Sequence, residues 1–177
     1  TLAIPFAANS SITQRVTAQT IVDHFNTAGI TATGSTTARA LPTRFKEFIS
    51  VEDYGADSTG VADSATAIQA ALDSGAKRVF ARGTFKQSVQ IVIPTGVTLV
   101  AAGATFIPTA NVNLFRLHGG AKLLGWPVLD VTTQAGWNAV CVLFDGSSEQ
   151  VAANNFRLYK KTTANVQCVG VAGTATG

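Results

Sequence analysis

Two aspartates in the second half of the chain could perform acid–base chemistry. Asp130 and Asp145 each lie at the end of a strand-like run, at 128–131 and 139–144. Two carboxylates held a few ångströms apart on a sugar-binding surface can hydrolyse a glycosidic bond. Aspartates at strand ends are also ordinary turn residues. We therefore treat both as candidate catalytic acids and leave the turn interpretation open.

Elimination is a second chemistry that the sequence could support, because a lyase needs a base and a cation that faces the carboxylate of a uronate. A lone histidine such as His24 is more often packed or solvated than catalytic, and His118 has no serine or cysteine nucleophile motif beside it. Several cations are available, but nothing in the sequence pairs them: Arg116, Lys122, Arg157, Lys160 and Lys161.

Two tryptophans are candidates for carbohydrate binding. Trp126 and Trp137 each follow a glycine, and an exposed indole can stack on a sugar ring, although a core position is equally consistent with the sequence. No nucleophile elbow, phosphate-binding loop, H-E-x-x-H motif or zinc-type cysteine pair occurs. We therefore predict no cofactor.

Three aspartates in the segment VEDYGADSTGVAD raise the possibility of a calcium site. Asp53, Asp57 and Asp63 lie in a glycine-containing loop, and carboxylates in such loops can bind Ca²⁺. Their spacing does not match a twelve-residue calcium loop, whereas helix caps and Asx turns explain all three. The prediction is structural aspartates and no metal.

The composition is typical of a sheet-rich protein. Hydrophobic residues make up 46% of the chain and charged residues only 13%, and the formal charge of +3 is spread without a basic patch. This pattern argues against nucleic-acid binding, and the chain has no apolar run long enough to span a membrane. Cys141 and Cys168 lie in apolar runs and are expected to be reduced, buried residues.

The N-terminal part of the chain, up to Ser50, is predicted to contain two helical segments. Residues 1–36 form an arm with a helix in TAQTIVDHFNTAG, and a lone helix of this length is marginal in water, so we expect it to pack elsewhere. Residues 37–50 form a neck, whose helix should start near Pro42. The apolar residues of the neck recur at helical spacing: Leu41, Phe45, Phe48 and Ile49.

The segment that follows the neck predicts a single amphipathic helix. Asp63 or Ser64 can cap its N-terminus, and Gly75 can end it. Its apolar face would consist of Ala65, Ile68, Ala71 and Leu72. A lone helix before a β-rich region can cover the open end of a hydrophobic sheet interior. We therefore predict a lid helix.

A repeat predicts the architecture of the remaining chain. GAKRVFARGTF matches GVTLVAAGATF when Gly75 is aligned with Gly96, and GAKLLG restarts the pattern from Gly120. Short strands at this spacing indicate a solenoid, with a jelly roll or sandwich as the alternative. The strand-like runs are at 79–81, 89–93, 97–100, 105–107, 112–117, 128–131, 139–144, 155–159 and 166–171.

These motifs resemble a known family. SVEDYGADSTGVADSATAIQAALDSG and the two repeats after it are similar to the opening of pectate-lyase-like right-handed parallel β-helices, which carry a V-x-D-[FY]-G-A loop before D-G-x-x-D-D-x-x-A-I-Q-x-A. The preceding TGSTTARALPTRFKEF is similar to bacteriophage tailspikes, where a T-x-R-x-L-x-x-R-F segment joins the virion-binding end to the β-helix. Residues 34–125 carry the resemblance in detail. The family's paired aspartates are Asp63 and Ser64 here.

The resemblance implies a mainly β protein with a lid helix and the first coils of a right-handed parallel β-helix at 51–177. It also implies a homotrimer in the virion, assembled in the host cytoplasm and attached through its arm to a phage tail or baseplate protein. The full-length protein is then expected to bind and degrade bacterial surface polysaccharide.

The length of the repeat region leads to a further expectation. Only about four coils fit before Gly177, and no capping helix follows them. We therefore expect a truncated β-helix that is itself inert toward sugars. Two alternatives are a self-contained polysaccharide lyase or glycoside hydrolase that uses Asp130 and Asp145, and a carbohydrate-binding module that uses Trp126 and Trp137.

Overall fold

The computed structural model describes Asp23 and residues 29–30, 33–134, 139–145, 152–153, 157–159 and 167–172. The chain divides into two compact units, Thr1–Lys46 and Glu47–Gly177. In the first unit, strand β1 (Gly29–Ile30) pairs antiparallel with β2 (Arg39–Ala40). Helix α1 (Leu41–Phe45) follows, with a proline in its first turn, where a missing N–H costs nothing because those groups have no intrahelical partner.

The second unit is a parallel β-helix made of three sheets. Successive strands pass through the sheets in turn, so each complete coil contributes one strand to each sheet. The first sheet contains β3 (Ile49–Ser50), β5 (Arg78–Phe80), β8 (Thr98–Val100), β11 (Lys122–Leu124) and β14 (Ala152–Ala153). The second contains β4 (Thr59–Asp63), β6 (Thr84–Gln87), β9 (Thr105–Pro108), β12 (Val128–Asp130) and β15 (Arg157–Tyr159). The third contains β7 (Ile91–Ile93), β10 (Phe115–Leu117), β13 (Val140–Asp145) and β16 (Gln167–Ala172).

The core consists of inward-facing side chains stacked in register from coil to coil. Leu99 pairs with Leu123 in the first sheet, and Phe85 pairs with Phe106 in the second. The rings of Phe85 and Phe106 lie 5.6 Å apart, and Phe106 meets Phe115 of the third sheet edge-on at 4.8 Å. These side chains are fully buried or nearly so. Each coil therefore buries the inner face of the next, as a solenoid requires.

Parallel pairing in all three sheets confirms the solenoid and excludes the jelly roll. Each of the predicted strand-like runs coincides with a strand, with bounds shifted by a few positions. The sequence does not predict β1 and β2 of the first unit, nor β3, β4, β6, β11 and β14 of the second. The alignment of Gly75 with Gly96 correctly matches Phe85 to Phe106, but Val79 pairs with Leu99 and not with Val100. The turn between β8 and β9 is one residue longer than the turn between β5 and β6, which changes the offset.

Helix α2 (Ala65–Leu72) follows a 3₁₀ turn at Val51–Tyr54 and has the predicted buried face of Ala65, Ile68, Ala71 and Leu72. Its Gln69 side chain lies against β7, the edge strand of the third sheet. The Val92 N–H donates to Gln69 Oε1 at 2.8 Å, and Gln69 Nε2 donates to the Val92 carbonyl at 3.0 Å. The amide therefore bonds the edge strand as a neighbouring strand would. Its action as a lid stays a prediction.

The predicted neck helix is only partly correct. α1 ends at Phe45, and Ile49 lies in β3, where it pairs with Val79. Phe48 is exposed and stacks on Phe80 at a centroid distance of 6.3 Å. Sheet pairing by Ile49 thus overrides the helical spacing. The predicted arm helix lies outside the described residues, apart from Asp23, and in the described part no helix is long and apolar enough to cross a membrane.

Candidate functional site

Three charged or ionisable side chains meet on the outer face of the third sheet. Arg116 Nη2 donates to Asp145 Oδ2 at 2.8 Å. His118 Nε2 lies 3.4 Å from the same oxygen. The side chains of Arg116, Asp145 and His118 are 39%, 32% and 40% exposed, so the cluster is half-open to solvent. We call these three residues the outer cluster.

The strand register places the outer cluster. Leu117 of β10 pairs with Phe144 of β13, and both face inward with the core. Side chains alternate along a strand, so the next residues, His118 and Asp145, face outward. Arg116 faces outward one position before Leu117, next to Leu143. Side chains that are a whole coil apart in sequence therefore come into direct contact across one strand pair.

The outer cluster has balanced charge and unused hydrogen-bonding capacity. Arg116 carries one positive charge and Asp145 one negative charge, while His118 can be either neutral or positive. Among the described residues, neither Arg116 Nε nor His118 Nε2 has a hydrogen-bond partner, although both atoms are covered. The cluster therefore contains donors and an acceptor that its own internal contacts do not fully use.

Asp130 lies in a different environment from Asp145. Its Oδ1 accepts hydrogen bonds from the Thr132 N–H at 3.0 Å and from the Thr132 hydroxyl at 2.6 Å, which is an Asx-type turn. Asp130 ends β12 in the second sheet, whereas Asp145 ends β13 in the third. The structure therefore does not stack the two candidate acids on one face, because one coil carries both of them on successive sheets.

Of the two candidate tryptophans, Trp126 lies on the surface and Trp137 lies outside the described residues. Trp126 is 60% exposed and has a left-handed backbone with φ of 61°. It follows Gly125, at which an added Cβ would lie 2.9 Å from the Ala102 nitrogen. Two turns therefore approach closely at Gly125, and the exposed Trp126 beside them lies outside the core.

The aspartates of the VEDYGADSTGVAD loop have structural partners. Asp53 accepts from the Ser50 N–H at 2.8 Å, and Asp63 accepts from the Ala65 N–H at 2.9 Å, beside the start of α2. Asp57 accepts from four donors: the Thr59, Val61 and Ala62 N–H groups and the Thr59 hydroxyl. These contacts, led by that of Ala62, hold the pKa of Asp57 far below its usual value. The predicted turn and cap roles are confirmed.

No group of three potential ligands suited to a metal ion occurs within the described ranges. Cys141 is buried, as predicted, while Cys168 lies in β16, where the structure describes the backbone and not the side chains. The chemistry that the described residues offer is therefore that of the outer cluster and of the exposed Trp126.

One comparison with known proteins gives a match. A model of the family described as rhamnogalacturonase A/epimerase, pectate lyase-like, matches residues 48–168, which is more than half of the chain. The chain belongs to this family. No curated protein and no solved structure matches the chain. Membership of the rhamnogalacturonase A/epimerase family suggests a protein that acts on polysaccharide.

The family match covers most of the second unit, including α2 and the outer cluster, and confirms the pectate-lyase-like part of the resemblance. Sequence reasoning named Asp145, Arg116 and His118 separately but did not join them. They could have been joined only if the number of residues in the coil between β10 and β13 had been known. The interval from His118 to Asp145 is longer than the intervals between the repeat glycines at 75, 96 and 120, so the repeat does not align the two side chains.

Proposed function

We propose that this chain is the N-terminal part of a bacteriophage tailspike whose β-helix acts on bacterial surface polysaccharide. The division of the chain at Lys46 and Glu47 carries the proposal, since it separates an N-terminal unit from the start of the pectate-lyase-like match at residue 48. The segment from Thr37 to Phe45, which resembles the tailspike joint, ends beside this boundary.

In this proposal the two units have different tasks. Residues 1–36 attach to a phage tail or baseplate protein, and residues 37–50 form the neck. The β-helix assembles as a homotrimer in the virion, and helix α2 acts as its lid. The contacts between Gln69 and the edge strand β7 support the lid role, because they satisfy backbone groups that an open sheet end exposes.

Light scattering on a sizing column tests the proposal. The chain has a mass of 18.3 kDa, so we expect three times that mass in solution. A truncated chain that starts at Glu47 separates the contributions of the two units, since the second unit should keep its β-helix spectrum. A full chain that stays monomeric at high concentration contradicts the tailspike proposal, because the proposal requires a trimer.

A second candidate function is a self-contained β-helix enzyme, either a polysaccharide lyase or a glycoside hydrolase. The observation that favours it is the half-exposed outer cluster, where a cation adjoins a carboxylate and an imidazole that could transfer a proton. The tailspike proposal expects no turnover by this chain. Release of unsaturated products or reducing ends, lost in Asp145→Asn and kept in Asp130→Asn, would favour the enzyme instead.

A further inference from the structure

The outer cluster has the chemistry of a sugar-binding site. We infer that Arg116, His118 and Asp145 bind the vicinal diol of one neutral sugar unit of a glycan, with Asp145 as the acceptor and the two basic side chains as donors. This inference deepens the proposed polysaccharide function and rests on it. It assigns the binding to one face of the molecule, the outer face of the third sheet.

Charge balance favours a neutral sugar over an anion. Arg116 is already bonded to Asp145 at 2.8 Å, so its positive charge is matched by a carboxylate. A ligand carboxylate or phosphate would have to approach that same carboxylate and would be repelled by it. Hydroxyl groups both donate and accept, so a diol can donate to Asp145 and accept from Arg116 at once.

The hydrogen-bonding capacity of the cluster supports a polar ligand. Arg116 Nε and His118 Nε2 have no hydrogen-bond partner within the described residues. Both atoms are covered in this conformation, and a rotation of the side chains would turn them toward a ligand. The exposed fractions of 39% and 40% leave room for that rotation. Hydrogen bonds between sugar hydroxyls and charged groups are stronger than those between neutral groups.

The surroundings of the cluster suit the apolar part of a sugar ring. Val92, Arg116 and Leu143 occupy equivalent outward positions on the three neighbouring strands β7, β10 and β13. The half-buried Val92 and Leu143 side chains therefore flank Arg116. A sugar whose hydroxyls bond the outer cluster can lay its C–H face on these side chains, as ligand sites combine apolar walls with a few polar groups.

The test is a nuclear magnetic resonance titration of the whole chain with methyl α-D-mannopyranoside, methyl β-D-glucopyranoside and a 2-deoxy analogue, with inorganic phosphate as the anion probe. We expect at least one diol probe to shift the Leu143 and Asp145 amides and the Arg116 side chain saturably, with the 2-deoxy analogue much weaker. Arg116→Gln and Asp145→Asn should each weaken binding about tenfold or more, as expected for the loss of a hydrogen bond to a charged group.

The matched control is Arg78→Gln, which removes an exposed cation on β5 of the first sheet and changes the net charge by the same amount. It should bind like the parent chain. Arg116→Lys keeps the charge and serves if Arg116→Gln does not fold, and it should still weaken binding because the planar fork is lost. Thermal unfolding of each variant establishes that the fold is retained.

Three results would overturn the inference. They are the absence of saturable shifts with every diol probe, binding of phosphate by the parent chain that is tighter than its binding of any glycoside, and an equal loss of binding in Arg78→Gln. The second result would identify an anion site instead. The mass measured by light scattering is independent of this titration, so failure of the sugar site is distinguishable from failure of the tailspike proposal.

Discussion

Replacement of Gln69 by leucine should destabilise the β-helix at its first edge strand. The side chain of Gln69 satisfies both backbone groups of Val92, at 2.8 and 3.0 Å. Leucine has a similar volume and keeps the apolar contacts of the side chain but leaves the Val92 N–H and C=O without protein partners. A buried polar group left unsatisfied costs about 1–3 kcal/mol.

The expected size of the effect follows from burial. Val92 and Gln69 are only half-buried, so water can partly replace the lost hydrogen bonds. We therefore take the lower part of the range for each group and expect a total loss of about 2–3 kcal/mol. For a domain of this size such a loss lowers Tm by roughly 5–10 °C.

Urea and thermal unfolding followed by circular dichroism measure the loss, and hydrogen exchange of the Val92 amide localises it. Thr66→Ala, on the exposed side of α2, is the control and should leave both readouts nearly unchanged. Gln69→Glu keeps an acceptor for the Val92 N–H but loses the donor and places a charge beside Asp73, whose carboxylate Gln69 now contacts at 3.1 Å. It should therefore also destabilise. If Gln69→Leu unfolds with the parent chain and Val92 exchange stays slow, the amide does not stabilise the edge.

Two further predictions concern the loop and the core. The depressed pKa of Asp57 means that its ionised form stabilises the fold; this contribution is complete above about pH 4, the unfolded value, and is lost as pH falls toward the lower folded pKa. Acid unfolding of Asp57→Asn should accordingly be less steep than that of the parent chain, and equal slopes would contradict the assignment. Phe106→Ala removes a ring that contacts Phe85 and Phe115 and should cost about 3–5 kcal/mol in urea unfolding. A loss below about 1 kcal/mol would show that the core does not depend on this ring stack.

The architecture could be predicted from the sequence because its signals are local and repeated. The glycines at 75, 96 and 120 each have positive φ, between 70° and 88°, and each precedes a strand of the first sheet. Left-handed turns favour glycine, so the repeat of this residue marks the coils. The buried face of α2 was predictable for a similar reason, since its apolar residues recur at helical spacing.

The register and the site could not be predicted in the same way, because coil length varies. Val79 pairs with Leu99, Leu99 with Leu123, and Leu117 with Phe144, and the sequence interval between the partners grows from each of these pairs to the next. Turns absorb these differences at little cost in free energy, so sequence spacing alone does not fix which residues become neighbours. The contact between Gln69 and the edge strand could not be predicted from sequence spacing either, because its partner Val92 lies on a strand of a later coil.

Stability and the candidate site depend on the same register in the third sheet. Leu117 faces the core, and its neighbours Arg116 and His118 face solvent. A slip of β10 by one residue would bury a charge in the core and expose Leu117, because side chains alternate between faces. The buried, inward-facing residues thus determine how the strands pair. That pairing brings the outward-facing Asp145 into contact with Arg116. Val92 of β7 pairs with Arg116 of β10, so the edge strand that Gln69 bonds lies one strand away from Arg116 and two strands away from Asp145.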